Sequence, residues 1–420
     1  MILALALFAL TYVLILAFGK YRTYIALGSG LLFIITGMLS LDNIIPAIDF
    51  NVLLMITGSM GLVQLFIDSK MPDLLAEIVI NKVKNVQMAA VALALFAGII
   101  SAFVDNVATV LMVAPVAIQI CKKLNTNPVP FIIGIAVSSN LQGAATLVGD
   151  TTAIMLGGEA GMSFLDFFWY EGKPSIFFAV ELGAVVSALI LAFIFRKEKQ
   201  PIPKQEVTTK VTDYVPTVLL LAMLVLLIGA SFIENKPDIT NGLICCGLLI
   251  IGLIYNFAKD KTKESVIGPL KAIDLQTLGL LLGLFLMIGG ISEQGVIAKA
   301  AELLAKVGNG NEFLLFTVIV WFSVLISAFI DNIPYVATML PIITGLGINP
   351  TLLYFGLLSG ATLGGNCTPI GASANITGTA ILRKEGFEVK NKDFFKIGIP
   401  FTFAAVISSY VYLWIVYGTH

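Results

Sequence analysis

Apolar runs separated by short charged or turn-rich stretches recur along the whole chain. The runs at about 2–18, 24–41 and 50–67 are each long enough to cross a bilayer as a helix. Over 71–84 the pattern changes: Leu74, Leu75, Ile78 and Val79 alternate at helical spacing with Asp73, Glu77, Lys82 and Lys84. This predicts an amphipathic helix lying at the membrane surface. A long apolar stretch follows at about 87–121 with an acid and an amide, Asp105-Asn106, in its middle. The next, at about 130–157, is interrupted by glycine and polar residues, and a run at 176–195 closes this half. Only 196–214 is polar over any length, which predicts an aqueous linker with no fold of its own.

The series is then written a second time. Spans recur at about 215–233, 240–257 and 275–291, followed by an amphipathic piece at 293–306 and an acid-centred stretch at 312–345. An interrupted span at 351–381 and a last span at 396–417 complete it. Landmarks keep register between the halves. Ala47-Ile48-Asp49 matches Ala272-Ile273-Asp274, and Asn127-Pro128 matches Asn349-Pro350. Ser101-Ala-Phe-Val-Asp105-Asn106 matches Ser327-Ala-Phe-Ile-Asp331-Asn332, and Gly143-Ala-Ala-Thr146-Leu-Val-Gly149 matches Gly365-Asn366-Cys-Thr368-Pro-Ile-Gly371. Matches in one order mark an internal repeat, with 1–195 and 215–420 as the copies.

Composition agrees. Of the 420 residues 58% are hydrophobic and only 12% charged, where a soluble domain carries about a quarter charged. The chain reads as a polytopic membrane protein. The four cysteines, Cys121, Cys245, Cys246 and Cys367, lie in or beside apolar runs without metal-ligand or disulfide spacing. The single histidine, His420, is the last residue, which sets aside histidine-based metal sites and catalytic triads. Lys20 and Arg22 follow the apolar stretch Met1–Phe18 instead of preceding it, so that stretch reads as a first span and not a cleaved leader.

The distribution of basic residues predicts the topology. If each acid-centred stretch is a re-entrant hairpin, entering and leaving on one side, each half has an odd number of spans and the halves are inverted. With the amino terminus outside, only Lys173, Lys236, Lys299 and Lys306 of the 25 basic residues fall outside. That sorting is the positive-inside pattern. It predicts an all-α protein of about ten transmembrane helices in two inverted repeats, each with a re-entrant hairpin and an interrupted helix, both termini outside.

Inverted repeats with matching broken helices are the plan of secondary transporters, whose sites lie near the bilayer midplane. The predicted centre joins the hairpin tips to the interrupted spans. Candidate ion- or substrate-binding residues are Asp105, Asn106, Thr109, Asn140, Thr146, Asp150, Thr151, Thr152, Asp331, Asn332, Asn366, Thr368, Ser373 and Asn375. Acids inside a membrane are expensive and functional by default. Their oxygens are hard ligands suited to Na⁺ or H⁺; Asp105, Asn106, Asp150, Asp331 and Asn332 are the candidates for Na⁺. No lysine or arginine lies within these motifs, so the centre is expected to be acidic and to repel anions unless cations are bound. Asp150 stands where the second repeat has Ala372. Plain helix capping is the alternative role for Asp105, Asp331 and Asp150. Glu181 is expected to reach for the interface, and Asp49 and Asp274 to mark span boundaries.

These motifs resemble the ArsB/NhaD-type permeases of the ion transporter superfamily, whose relatives include the melanosomal P protein and the sodium-coupled dicarboxylate and citrate carriers. The residues that carry the resemblance are Phe-Val-Asp105-Asn106-Val-Ala-Thr with Pro115, and Asp331-Asn332-Ile-Pro-Tyr-Val-Ala-Thr with Pro341. Gly143 to Asp150 and Gly364 to Asn375 add to it. The resemblance implies a homodimer with a scaffold domain and a mobile transport domain, moving its substrate by an elevator-type motion. Dicarboxylate carriers have Ser-Asn-Thr at the tips, where this chain has Asp105-Asn106-Val107 and Asp331-Asn332-Ile333. The expected protein is therefore a Na⁺-coupled transporter resembling Na⁺/H⁺ antiporters, without an organic cofactor, in a prokaryotic plasma membrane. Its partners are a small inorganic or organic ion and the lipid bilayer, with no nucleic acid. The alternative substrate is an anion, dicarboxylate or metalloid such as arsenite or silicate. An intramembrane aspartyl hydrolase would also pair acids, but it gives the repeated hairpins no role, and a passive channel would conduct without coupling.

Overall fold

The computed structural model describes residues 1–202, 208–211 and 213–418; Thr419, His420 and the linker positions 203–207 and 212 lie outside the described residues. The first half contains α1 (Ile2–Ala17), α2 (Arg22–Ile35), α3 (Ile44–Ala47), α4 (Phe50–Asp68), α5 (Met71–Asn81), α6 (Val86–Ser101) and α7 (Asn106–Lys123). It continues with α8 (Val129–Gly143), α9 (Thr151–Glu159), a small hairpin of β1 (Trp169–Tyr170) and β2 (Lys173–Pro174), and α10 (Ile176–Ile194). The second half follows the same plan through α11 (Val215–Ser231), α12 (Thr240–Asp260), α13 (Glu264–Lys271), α14 (Leu275–Glu293) and α15 (Val296–Gly308). It ends with α16 (Glu312–Ser327), α17 (Asn332–Thr344), α18 (Thr351–Gly364), α19 (Ser373–Lys384) and α20 (Asn391–Tyr417). The fold is all-α, as the hydrophobic pattern predicts; the short α3, α13 and β-hairpin are additions it did not anticipate.

The helices start where the sequence supplies caps, and the caps repeat. Asp49 accepts from Val52 N at 2.9 Å, and Asp274 accepts from Gln276 N and Thr277 N at 3.0 Å. Asn85 caps α6 through Met88 N, and Asn311 caps α16 through Leu314 N. Asn127 and Asn349 each accept from the residue two positions on, opening α8 and α18. Each of the four N-caps is worth about 1 kcal/mol, and with the two Asn turns they mark equivalent boundaries in both halves.

Helix α2 packs on α14, and α12 on α4, so the halves interlock crosswise. Helix α6 packs on α8 and α16 on α18, while α10 and α20 pair with each other. Large apolar side chains such as Leu31, Leu189, Val225 and Ile254 are exposed on α2, α10, α11 and α12, as suits helices that face hydrocarbon. Six described helices are individually long and apolar enough to cross a membrane, and two bent pairs raise the number to eight. The interrupted α8–α9 and α18–α19 are built from pieces too short to be counted that way. Helices α1 and α2 meet at an elbow of 113°.

Contacts between loops separate two faces. Gln87 reaches Ala192 O, Lys122 pairs with Glu385 at 2.5 Å, and Lys259 pairs with Asp213 at 2.7 Å, all on the face rich in basic residues. The amino terminus approaches Gln294, Ser40 and Asn43 bind Glu293, Glu159 meets Thr344, and Tyr417 reaches Tyr170 on the other. The linker touches both ends of the first hairpin. Gln87 N donates to Glu198 O, and Ile202 N to Lys84 O. Thr208 and Thr209 bind Glu77 and border a cleft shared with Gln119 and Lys123. The hairpin α6–α7 therefore begins and ends on one face, although α7 alone has spanning length.

One expectation fails here. Glu181 turns inward and accepts from Gln142 Nε2 at 2.9 Å, because a carboxylate within an apolar span finds its partner on α8 and not at the interface.

Candidate transport site

Each hairpin tip is a helix stop followed at once by a helix start. At Asp105 the backbone is extended (φ −44°, ψ 139°), and the carboxylate accepts from Val107 N at 3.0 Å and Ala108 N at 3.1 Å. Asp331 repeats this at φ −53°, ψ 133°, accepting from Ile333 N at 3.2 Å. Both acids are thus N-caps, and capping uses only one oxygen of each. A half-helix amino terminus at each tip adds partial positive charge.

The broken helices hold the tips. Thr146 Oγ1 donates to Ala102 O, and Thr368 Oγ1 donates to Ala328 O at 2.5 Å. Backbone meets backbone beside them. A Cβ on Gly149 would lie 2.8 Å from both Ala102 O and Ser101 O, and one on Gly371 would lie 2.8 Å from Ala328 O and Ser327 O. Glycine is required at both positions because the hairpin carbonyls occupy the side-chain space.

Between tips and breaks lies a cavity of about 260 Å³. Asp105, Asn106, Asn140, Asp150, Thr151, Asn332 and Ser373 line it on one side. Met60, Gln64 and Ile67 of α4, and Asp274 and Thr277 at the start of α14, line it on the other. Those ends of α4 and α14 belong to the basic face, so the cavity approaches the tips from there. Among the described residues, no lysine or arginine lines it.

Asp150 occupies the N-cap position of α9 but makes no capping bond. Its carboxylate instead accepts from Thr152 Oγ1 at 3.0 Å, and that hydroxyl is 3.1 Å from Thr362 Oγ1. An amide network joins the two halves at the same level. Asn106 Nδ2 donates to Asn140 Oδ1 at 3.1 Å; Asn140 Nδ2 donates to Thr362 O at 2.7 Å and to Asn366 Oδ1 at 3.1 Å. Asn366 Nδ2 closes the network on Val137 O at 2.9 Å.

The predicted residues therefore divide. Those lining the cavity are Asp105, Asn106, Asn140, Asp150, Thr151, Asn332 and Ser373. Thr109 is buried against Val104 O, and Thr146 and Thr368 are spent on the hairpin carbonyls. Thr152 positions Asp150, and Asn366 belongs to the amide network. Asn375 Nδ2 braces the unwound loop through Gly365 O and Thr368 O, while its buried Oδ1 has no hydrogen-bond partner among the described residues. For these the sequence identified the right neighbourhood, but their side chains bond within the tips and loops and do not line the cavity.

Asp331 is the clearest correction. Its motif contains no base, yet Arg22, 309 residues earlier, forms an ion pair with it. The centre is acidic at the first tip and neutralised at the second. Asp274 departs from expectation in the other direction: it caps α14 but also faces the cavity. Gln64, Thr277 and Arg22 carried no sequence signal beyond their place at span ends.

Asp105, Asn106, Asp150 and Thr151 line the cavity and carry oxygens that are hard donors suited to an alkali cation or a proton. Among the described residues, no group of three or more His, Cys, Asp or Glu is disposed to hold a metal ion. Any cation here would share carboxylates with amide, hydroxyl and backbone oxygens.

The sequence profile of a citrate transporter family matches residues 12–347 and 264–419. The chain belongs to that family. Its membership in the ion transporter superfamily agrees with the resemblance carried by the tip and loop motifs. A transporter of Mycobacterium tuberculosis is 28% identical over 99% of both chains. A Synechocystis transporter is 26% identical over 94% of this chain and 93% of its own. The human P protein is 26% identical over 95% of this chain and 58% of its own length. Among solved structures, the YdaH transporter of Alcanivorax borkumensis has the same fold, with a TM-score of 0.60 at 13% identity, covering 87% of this chain and 85% of that one. MtrF of Neisseria gonorrhoeae, described as illuminating a class of antimetabolite efflux pumps, aligns with a TM-score of 0.54 at 17% identity, over 88% and 81% of the chains. The family and its relatives are membrane transporters, not enzymes.

Proposed function

We propose that this protein is a cation-coupled secondary transporter, acting as a Na⁺/H⁺ antiporter at the Asp105–Asp150 half of the centre. The acid-lined cavity carries the reading: Asp105, Asp150 and Asp274 border it and no base does. A cation or proton relieves the repulsion among these carboxylates, and Na⁺ and H⁺ would compete for the same oxygens. Competition for one site is the minimum an antiporter needs. In this reading α1, α2, α4, α11, α12 and α14 form the scaffold, and the hairpins with the broken helices form the moving domain of each protomer in a dimer. The basic face is the cytoplasmic one, in a prokaryotic plasma membrane with both termini outside, so the cavity is open inward.

A second reading follows from the family's description. An acidic cavity of about 260 Å³ disfavours a free tricarboxylate, but a carboxylate masked by bound cations would be accepted. Purified protein in proteoliposomes separates the two. An imposed Na⁺ gradient should drive proton movement without added anion, and Asp105→Asn should abolish it. Proton movement that requires citrate, or exchange that survives in Asp105→Asn, rejects the antiport reading.

A further inference from the structure

The two hairpin tips share a backbone plan but not a charge. Each has an extended aspartate cap, a threonine bound to the tip carbonyl and a glycine under it. At the first tip Asp105 is joined by a second acid, Asp150, and the cavity there has no basic residue. At the second tip the position equivalent to Asp150 is Ala372, and Asp331 is paired with Arg22. Two acids without a base face one half-site; one acid with one base forms the other.

Arg22 is poorly placed for any role within its own helix. It is the first residue of α2, and no acid stands in that first turn. A cation there opposes the helix dipole, which favours negative charge at the amino terminus. Its partner lies across the molecule instead. The same region is held to α17 a second time, since Tyr12 Oη donates to Pro334 O at 2.6 Å and contacts Thr338. Helices α1 and α2 are therefore both bonded to α17 or its cap. No equivalent base serves the first tip: α12 begins Thr240-Asn241-Gly242, after Asp238.

We infer that Arg22 is a tethered counter-ion that keeps a coupling cation away from the second tip, leaving the Asp105–Asp150 tip as the cation site of each chain. A guanidinium is always charged and cannot be titrated away at physiological pH, so it holds the cation position beside Asp331 without exchanging with solution. The repeated architecture supplies two potential half-sites, and one arginine from the scaffold side reduces them to one. The identity of the ion rests on the coupling reading above, but the inference concerns the difference between the tips.

The test counts ²²Na⁺ bound per chain by equilibrium dialysis of the purified full-length protein. Arg22→Gln should bind one ion more than the wild type, and Arg22→Lys should match the wild type. Asp331→Asn should also match it, and adding Asp331→Asn to Arg22→Gln should remove the extra ion. An unchanged count in Arg22→Gln, or loss of an ion in Asp331→Asn, overturns the inference. If Arg22→Gln does not yield folded protein, Asp331→Asn alone decides. A wild type that binds no ion beside an Arg22→Gln that binds one would reject the coupling reading and the first-tip site, and would keep only the exclusion of a cation by Arg22. One ion in both would do the reverse.

Discussion

Replacing Asp150 by asparagine removes one charge from the cavity and almost nothing else. The side chain is nearly isosteric, and its amide oxygen still accepts from Thr152 Oγ1, now at 3.0 Å. Asp150 is only 6% exposed and its carboxyl group makes no capping bond, so its oxygens are free to serve a bound cation. Truncating one partner of a buried charge pair costs about 2–5 kcal/mol. Because the cavity opens toward one face, a value near the lower end, about 3 kcal/mol, is appropriate, or roughly 150-fold in affinity. The assay is Na⁺-driven proton movement in proteoliposomes, followed with an internal pH dye over a range of Na⁺ concentrations. The half-saturating Na⁺ concentration should rise by about two orders of magnitude, with folding unchanged by gel filtration. A value within threefold of the wild type would show that Asp150 is not a cation ligand and refute the reasoning from cavity charge.

Two further predictions test the framework around the site. In Gly371→Ala the new methyl would lie 2.6 Å from Gly365 O and 2.8 Å from Ala328 O and Ser327 O, all backbone atoms that have little room to yield. Overpacking of this kind costs about 1–3 kcal/mol, so the melting midpoint in detergent should fall, whereas Gly247→Ala, with open space around it, should be near neutral. On the amphipathic helix α15, Lys299 and Lys306 hold the Glu302 carboxyl down to about 2. A lowered acid pKa stabilises the folded state above the ordinary value of 4.5 and loses that contribution as pH falls toward 2. The melting difference between wild type and Glu302→Gln should shrink across that window, and a constant difference would show that the pairs with Lys299 and Lys306 do not contribute to folding.

The sequence alone determined the architecture, because a bilayer leaves few ways to satisfy a backbone. Apolar run length, the amphipathic stretches at 71–84 and 293–306 and the repeated landmarks were enough to place the spans and hairpins. Breaks at Gly143–Gly149 and Gly365–Gly371 were legible because glycine and polar residues in an apolar span have few other uses. Side-chain direction was not legible. Thr109, Thr146, Thr152, Thr368, Asn366 and Asn375 lie in the right motifs, yet Thr152 bonds the Asp150 carboxylate and the others bond backbone carbonyls, those of Thr146 and Thr368 brought close only by packing of the tips against the unwound loops. The charge of the site was hidden for the same reason. Arg22 reads as one more basic residue at a span end, and Asp274 as one more boundary acid. Only the crosswise packing of the two halves sets the arginine against Asp331 and turns Asp274 toward the cavity. Local pattern follows from the solvent, whereas the electrostatics of a site depend on distances between residues hundreds of positions apart, which the tertiary structure alone decides.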